Sequence, residues 1–269
     1  MTERVFFVPR ASRASRTLAL LVLLVAAGAC GNRQLGPPAG AAQPDRFLFE
    51  RGNEALKEEQ WMNARTYFQQ IVDNYPQSPF RPDAKLGMGD SYLGEGSAES
   101  AVLAANEFRE FLQFYPTNTR ADYGQYKLAM SHFGQMRAPE RDQTETRESL
   151  REFDVFFLKF PNSPLTAEVK QNWRIARDRL SEASFRVGLT YYRQRWYPGA
   201  ISRFREVLAQ DPGFSGRDAL FFYLAESLSR TDKNGVAEAI PYFERLIAEF
   251  DQSVHLEDAK KRLQELKNQ

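Results

Sequence analysis

The chain is 269 residues long, 42% hydrophobic and 26% charged, with a net charge of +1, two histidines and a single cysteine. One cysteine excludes an internal disulfide framework, and 36 basic against 35 acidic residues excludes the strong positive field of a nucleic-acid binder. The first sixteen residues hold Arg4, Arg10, Arg13 and Arg16 against Glu3, followed by apolar residues from Leu18 to Ala27 and small residues up to Cys30. That is the order of a secretory signal. Its apolar core is shorter than the roughly 20 residues a membrane-crossing helix requires, so residues 1–29 read as a cleaved signal peptide.

Ala27-Gly28-Ala29-Cys30 resembles the bacterial lipobox, with Ala27 where leucine is usual. The resemblance implies a lipid on the Cys30 sulfur and cleavage just before it. A lone exported thiol is open to oxidation, and acylation removes it. Acyl chains contribute about 0.8 kcal/mol per buried methylene, and stable anchoring takes more than one chain, which resemblance to triacylated lipoproteins supplies. Gly31 and Asn32, rather than aspartate, follow the cysteine; in such lipoproteins this favours the outer membrane. Residues 30–44 read as the lipidated N-terminus and a flexible tether of Gly, Pro and Ala. With the signal go four arginines and one glutamate, leaving a mature net charge of −2.

The stretch NYPQSPFRPDAK (74–85) recurs as KFPNSPLTAEVK (159–170) and FDQSVHLEDAK (250–260), the self-similarity of a repeat protein. Ser78 and Ser163 are expected to cap helix starts, with Pro79 and Pro164 in the first turn, where a missing N–H costs nothing. The stretches between these joints carry an alanine and an aromatic four residues apart: Ala64 with Phe68, Ala104 with Phe108, Ala200 with Phe204, Ala239 with Phe243. Four residues is one helical face, and a small residue beside a ring lets paired helices interlock. Gly52 and Gly188 stand twelve residues before the alanine, and Pro76 and Pro212 eight after the ring.

These spacings resemble the tetratricopeptide repeat, a 34-residue helix-turn-helix unit, in five copies over residues 45–252. Repeat two takes extra residues near Gly94 to Ser97, and repeat five near Lys233 and Asn234. In repeat three Ser149 replaces the alanine ahead of Phe153, and residues 137–146 lengthen its turn. Leu165 to Gln194 contains no proline and one glycine, which predicts one helix about 45 Å long joining repeats three and four. A last helix from His255 to Lys267, with Leu256, Ala259, Leu263 and Leu266, is expected to cap the stack. The fold class is all-α: a tetratricopeptide-repeat superhelix of five helix-turn-helix repeats plus a C-terminal capping helix. Repeats 1–3 fill residues 45–163; repeats 4–5 and the cap fill residues 164–269.

No sequence pattern for catalysis emerges. His132 and His255 lie on different predicted helices and form no ligand pair, and no nucleophile motif or phosphate-cradling loop is present. Glu58-Glu59 and Glu148/Glu152 are expected on solvated helix faces. The reading is a non-enzyme with no metal and no cofactor. A stack of helix pairs offers instead a concave groove, lined by the first helix of each pair, for an extended peptide or a partner domain.

The region RDQTETRESLREFDVFFLKFPNSP (141–164), followed by RDRLSEASFRVGLTYYRQRWYPGAISRFREVL (177–208), resembles the BamD family of outer-membrane assembly lipoproteins. That family has a similar Arg-Asp loop, an aromatic-Pro-Asn-Ser turn, Asp-Arg-Leu in a long helix, and Tyr-Tyr before the next. The resemblance implies that the N-terminal repeats receive unfolded outer-membrane protein precursors. The C-terminal repeats would grip a periplasmic domain of a BamA-type insertase, with accessory Bam lipoproteins as further partners. By the same resemblance Arg203 faces the insertase, and Tyr75, Phe80 and Arg81 contact precursor. The protein would face the periplasm, held to the outer membrane by its lipid. The alternative is a periplasmic cell-division coordinator working with the Tol-Pal system, which shares the Tyr-Pro-x-Ser-Pro joints but carries an N-terminal coiled coil and no lipid.

Overall fold

Apolar residues spaced three and four apart give each segment one sticky stripe, and a helix with one such stripe is stable only against another. In the computed structural model, which describes residues 36–268, eleven helices among the described residues meet that need by pairing. The predicted signal peptide and Cys30 lie outside the described residues. By internal contacts the chain divides after Pro44 into two units. Residues 36–44 hold a turn closed by the Ala41 N–H on the Pro38 carbonyl at 3.1 Å.

The helices are α1 (Pro44–Lys57), α2 (Trp61–Asn74), α3 (Arg81–Glu95), α4 (Ala98–Phe114), α5 (Ala121–Phe133), α6 (Thr144–Lys159), α7 (Thr166–Arg193), α8 (Tyr197–Gln210), α9 (Arg217–Leu228), α10 (Lys233–Glu249) and α11 (Leu256–Lys267). They form the five expected helix-turn-helix repeats, from α1/α2, where Gly52 and Phe49 meet Phe68, to α9/α10, with α11 packed on α10 at the end. Turns inside the repeats vary, with 3, 2, 10, 3 and 4 residues, whereas every joint between repeats has six. The ten-residue turn, residues 134–143, overlaps the predicted insertion at 137–146, whose last three residues instead open α6, and α5 still pairs with α6 across it. First helices of neighbouring repeats also touch, α3 on α5 and α7 on α9, and no pair of second helices packs comparably among the described residues.

Inside each repeat the predicted small-aromatic pairs are sealed. Ala64, Phe68, Ala104, Phe108, Ala200, Phe204, Ala239 and Phe243 are all inaccessible to solvent, as is Phe153. Ser149, in place of alanine beside Phe153, donates its hydroxyl to the Ala129 carbonyl at 3.2 Å. Phe68 of α2 shows how close the approach is. A Cβ on Gly52 of α1 would lie 2.5 Å from one edge of its ring, and a Cβ on Gly87 of α3 would lie 2.5 Å from the other.

The long helix spans 28 residues, about 42 Å at 1.5 Å per residue. Val169 and Ala176 in its first half belong to the core of repeat three, with Phe153 and Phe156. Phe185 belongs to the core of repeats four and five, with Phe204 and Phe243. The end of that core is closed by Ala259 and Leu266 of α11.

The expected serine caps are corrected by the structure. Helices α3 and α7 begin three residues beyond Ser78 and Ser163, with Phe80 and Leu165 at the N-cap making no side-chain cap. Pro79 and Pro164 lie outside the helices, in the turn ahead of them, and Pro82 takes the first turn of α3. Each joint is two consecutive turns, such as Ser78 N–H on Tyr75 O and Arg81 N–H on Ser78 O. The serine hydroxyl accepts the N–H two residues on, in all three copies at 3.1 Å. It also donates to an aspartate in the first turn of the preceding first helix: Ser78 to Asp45 at 2.7 Å, Ser163 to Asp122 at 2.6 Å, Ser253 to Asp218 at 2.7 Å. The recurring serine thus ties a joint back across its repeat instead of capping the next helix.

Because Phe68 cannot yield toward either glycine, Gly52→Ala and Gly87→Ala are each expected to destabilise the fold by about 1–3 kcal/mol, despite the better helix propensity of alanine. Urea unfolding followed by circular dichroism reads this directly.

Candidate functional site

Successive first helices are joined by a ladder of tyrosines and carboxylates. Tyr123 of α5 donates to Asp90 of α3 at 2.8 Å, and Tyr126 of α5 donates to Glu168 of α7 at 2.6 Å while accepting from Asn172 at 2.9 Å. Burial pushes the Asp90 carboxyl above the usual carboxylate range, and burial together with the facing carboxylates raises both phenols. Glu226 of α9 continues the series, accepting from Arg262 of α11 at 2.6 Å. Along this face the polar groups largely satisfy one another; one groove runs along α1 and another opens at the middle of α7.

The first groove has a volume of about 440 Å³ and runs along α1, past Arg46, Phe49, Asn53 and Lys57, to Phe80. Phe80 stacks on Phe49 at 4.9 Å between ring centroids and 18° between planes, and Phe49 in turn meets the buried Phe68 at 6.1 Å. Of the three expected precursor-contacting residues, Phe80 lines this groove and the other two serve the joint beside it. Tyr75 is the half-buried C-cap of α2, its N–H on Ile71 O at 3.0 Å. Arg81 donates to Val72 O at 3.2 Å and reaches the Tyr115 hydroxyl at 3.4 Å, linking the first joint to the second. Phe49 was missed in the sequence. A signal existed: Leu48 and Phe49 are adjacent on one helix and cannot both face the core.

The second groove has a volume of about 560 Å³, between the ten-residue turn at Pro139 to Gln143, the middle of α7 and Arg203 of α8. Its floor is apolar, with Leu180, Ala183 and Val187, and its rim carries Arg141, Arg147, Arg186 and Arg203. Gln143 anchors the turn, donating to Ala138 O at 2.9 Å and Arg141 O at 3.0 Å and accepting from Thr146 at 2.8 Å. Asp142 accepts the Thr144 N–H at 3.0 Å, a bond that holds its carboxyl below the usual range. Arg186 pairs with Glu182 and Glu140. Arg203 is exposed and pairs with Glu206 one turn on at 2.9 Å; such a surface pair is weak and releases its arginine at little cost.

Between the long helix and the fourth joint lies a buried ion pair. Asp211 accepts from Arg174 at 2.9 Å and from Ser181 at 2.6 Å, and Asp178 accepts from Arg174 and from the Ser215 N–H, both at 2.9 Å. Burial alone would raise the Asp211 carboxyl; the bonds from Arg174 and Ser181 and the arginine charge outweigh it and hold the group below its ordinary range.

Glu58 and Glu59 are exposed as expected, but Glu152 is not on a solvated face. It is 7% accessible and accepts from Gln125 of α5 at 2.8 Å, because α5 covers that side of α6. The histidines are structural: His255 stacks on Phe222 at 4.7 Å, and His132 bonds Glu145 at 2.8 Å. Among the described residues no group of three or more His, Cys, Asp or Glu could hold a metal ion. No helix among them is long and apolar enough to cross a membrane.

Residues 41–227 match the family model YfiO, described as outer membrane lipoprotein. The outer membrane protein assembly factor BamD of Caulobacter vibrioides is 25% identical over 210 residues, covering 78% of this chain and 68% of that one. BamD of Rickettsia prowazekii is 26% identical over 190 residues, covering 71% and 74%. Among solved structures, the TPR2AB domain of yeast Sti1 in a pHSP90 complex has a TM-score of 0.47 at 12% identity, covering 84% of each chain.

A depressed carboxyl contributes stability that is complete above its unfolded value near 3.9 and is lost as pH falls through the lower folded value. Asp211→Asn is therefore expected to cost about 1–3 kcal/mol at pH 7, with the difference from the parent chain shrinking progressively below about pH 4. Urea midpoints measured from pH 7 down to pH 3 check both the size and the sign.

Proposed function

The chain belongs to the YfiO family of outer membrane lipoproteins, and from that premise we propose that it is a non-enzymatic scaffold for β-barrel assembly in the outer membrane. In this reading it receives unfolded outer-membrane protein precursors at its N-terminal repeats and holds a BamA-type insertase at its C-terminal repeats. The assembly-factor relatives support the general role. One observation carries the finer reading: two chemically different grooves, one aromatic at Phe49 and Phe80 and one edged by arginines at the long helix, sit on a single stack.

The aromatic groove suits an extended apolar segment, since stacked rings offer area without hydrogen bonds of their own to satisfy. Phe80 contacts precursor directly, while Tyr75 and Arg81 fix the joint that presents it. At the other groove Arg203 meets the insertase. A guanidinium is suited to that because its planar fork grips a carboxylate with two hydrogen bonds, and the apolar floor beside it supplies area. Cys30 carries the lipid that keeps both grooves at the periplasmic face of the outer membrane, which raises the local concentration of captured precursor beside the insertase. Accessory lipoproteins dock elsewhere on the stack. The scheme needs no bond-making step, cofactor or metal.

Affinity purification of the tagged chain from detergent-solubilised membranes is expected to recover the insertase; recovery of Tol proteins, or of neither, overturns the reading. Arg203→Glu is expected to lower insertase recovery at least tenfold, by replacing attraction with like-charge repulsion, while leaving circular dichroism unchanged. Phe80→Ala is expected to weaken crosslinking to a denatured barrel precursor severalfold without affecting insertase recovery, which separates the two grooves.

A further inference from the structure

The arginine groove continues past its own end. A neighbouring groove of about 450 Å³ lies between α6 and α7, and the two share Arg147 and Leu180 as lining, so together they form one trough. The trough follows from the length of α7, which at 28 residues is twice as long as α8 and outruns the 16 residues of α6. Arg177, Leu180, Ser184 and Val187, three and four apart on one face of α7, line it from one groove into the other. From Arg177 to Thr190 that is about 20 Å at 1.5 Å per residue. Leu158 of α6 stands 80% exposed in one half and Val187 40% exposed in the other. Apolar surface rimmed by charge in this way marks an interaction site.

The rim has one sign. Six arginines and three acids line the trough, and the acids are already engaged: Glu140 with Arg186, Asp142 with the Thr144 N–H, and Asp154 with the Trp173 indole N–H at 3.0 Å. Arg147, where the two grooves meet, is exposed and forms no ion pair among the described residues. This excess is local. Residues 137–205 hold fourteen basic and nine acidic side chains, whereas residues 30–269 as a whole are net negative at −2. The resulting field steers an acidic partner to this part of the stack.

The geometry points to one occupant, an acidic amphipathic helix of a protein partner laid along α7, its apolar stripe on Leu158, Leu180 and Val187 and its carboxylates on Arg147 and the other arginines of the rim. Every described element is a helix, so the trough offers side chains and no free strand edge with which an extended chain could pair; helix-in-groove docking needs only the former. Ala183 and Ser184, small and half-buried midway along the trough, let a second helix axis come close. The inference rests on the reading of the arginine groove as a protein-docking seat. It goes further by adding α6 to that seat and by giving the shape and charge of what docks.

The probe is a fluorescein-labelled peptide of about four helical turns, with leucines three and four apart on one face and glutamates beside them, held helical by a hydrocarbon staple because a free helix of that length is marginal in water. The full-length protein in detergent is expected to bind it saturably by fluorescence anisotropy, and to bind neither its lysine counterpart nor a proline-interrupted version. Arg147→Gln, Leu158→Ser and Val187→Ser are each expected to weaken binding about tenfold with circular dichroism unchanged, since all three side chains are exposed. Met62→Ser, at a side chain 73% exposed on α2, is expected to leave it unaltered. If the same three substitutions lower insertase recovery from solubilised membranes, the helix is the insertase's; if recovery stands, it belongs to another acidic partner. If the parent chain recovers no insertase while the peptide binds, the assembly reading fails and the docking site holds. The proposal is overturned by no saturable binding, by equal binding of the lysine or proline-interrupted peptide, or by an affinity indifferent to Arg147 and Leu158. A dimer in detergent that Leu158→Ser dissolves also overturns it, by giving the trough to a second copy of this chain.

Discussion

Phenylalanine rings held against glycines set how close the helices of this protein can come. Phe68 lies between Gly52 and Gly87, Phe108 rests on Gly89, Phe111 on Gly124 and Phe204 on Gly188, each with no room for a Cβ on the glycine. Some of these contacts lie inside a repeat and others cross a joint. Phe68 does both, touching α1 of its own repeat and α3 of the next. A repeat of this kind cannot close its core alone, and neighbours must stack before the rings are covered. Tight packing of this sort also transmits displacement, since a filled interior has few voids to absorb it.

Geometry between repeats is set by the joints. Six residues in every joint, closed by two successive turns, leave little freedom in the angle at which one repeat follows another. Serine-aspartate ties at three of the five joints add a brace from the end of a repeat to its beginning. At the second joint Arg120 pairs with Asp83 at 2.9 Å instead. At the fourth, the buried Asp211 with Arg174 and Ser181 takes the same mechanical part. The long helix then serves as a shared beam, its first half in one core and its second half in another.

One element departs from this regularity, the ten-residue turn of repeat three. It is ordered by Gln143, whose amide bonds two carbonyls of the turn and whose oxygen takes the Thr146 hydroxyl. Pro139 to Gln143 form an edge of the arginine groove, and Gln135 and Arg137 line a pocket around His132. An insertion that adds nothing to the core thus furnishes walls for two separate openings, which is how loops on a rigid scaffold commonly gain function.

Some of this was legible in the amino-acid order. Helical periodicity, the alanine-aromatic interlock, the uninterrupted α7 and the capping helix all depend on residues three to thirty apart in the chain. So does the lengthened turn of repeat three. The family was legible too, because the inserted turn and fused helix are one continuous stretch. What the tertiary structure decided are relations between residues far apart: Ser78 with Asp45, Gln125 with Glu152, Phe49 with Phe80. Ser78 has the residue type and spacing of a helix cap, yet it bonds an aspartate 33 positions earlier. Glu152 looks like a surface acid until α5 folds over it. Local pattern fixes which face of a helix is apolar; only the stacking of repeats determines which polar groups that face encloses and which rings are left over to line a groove.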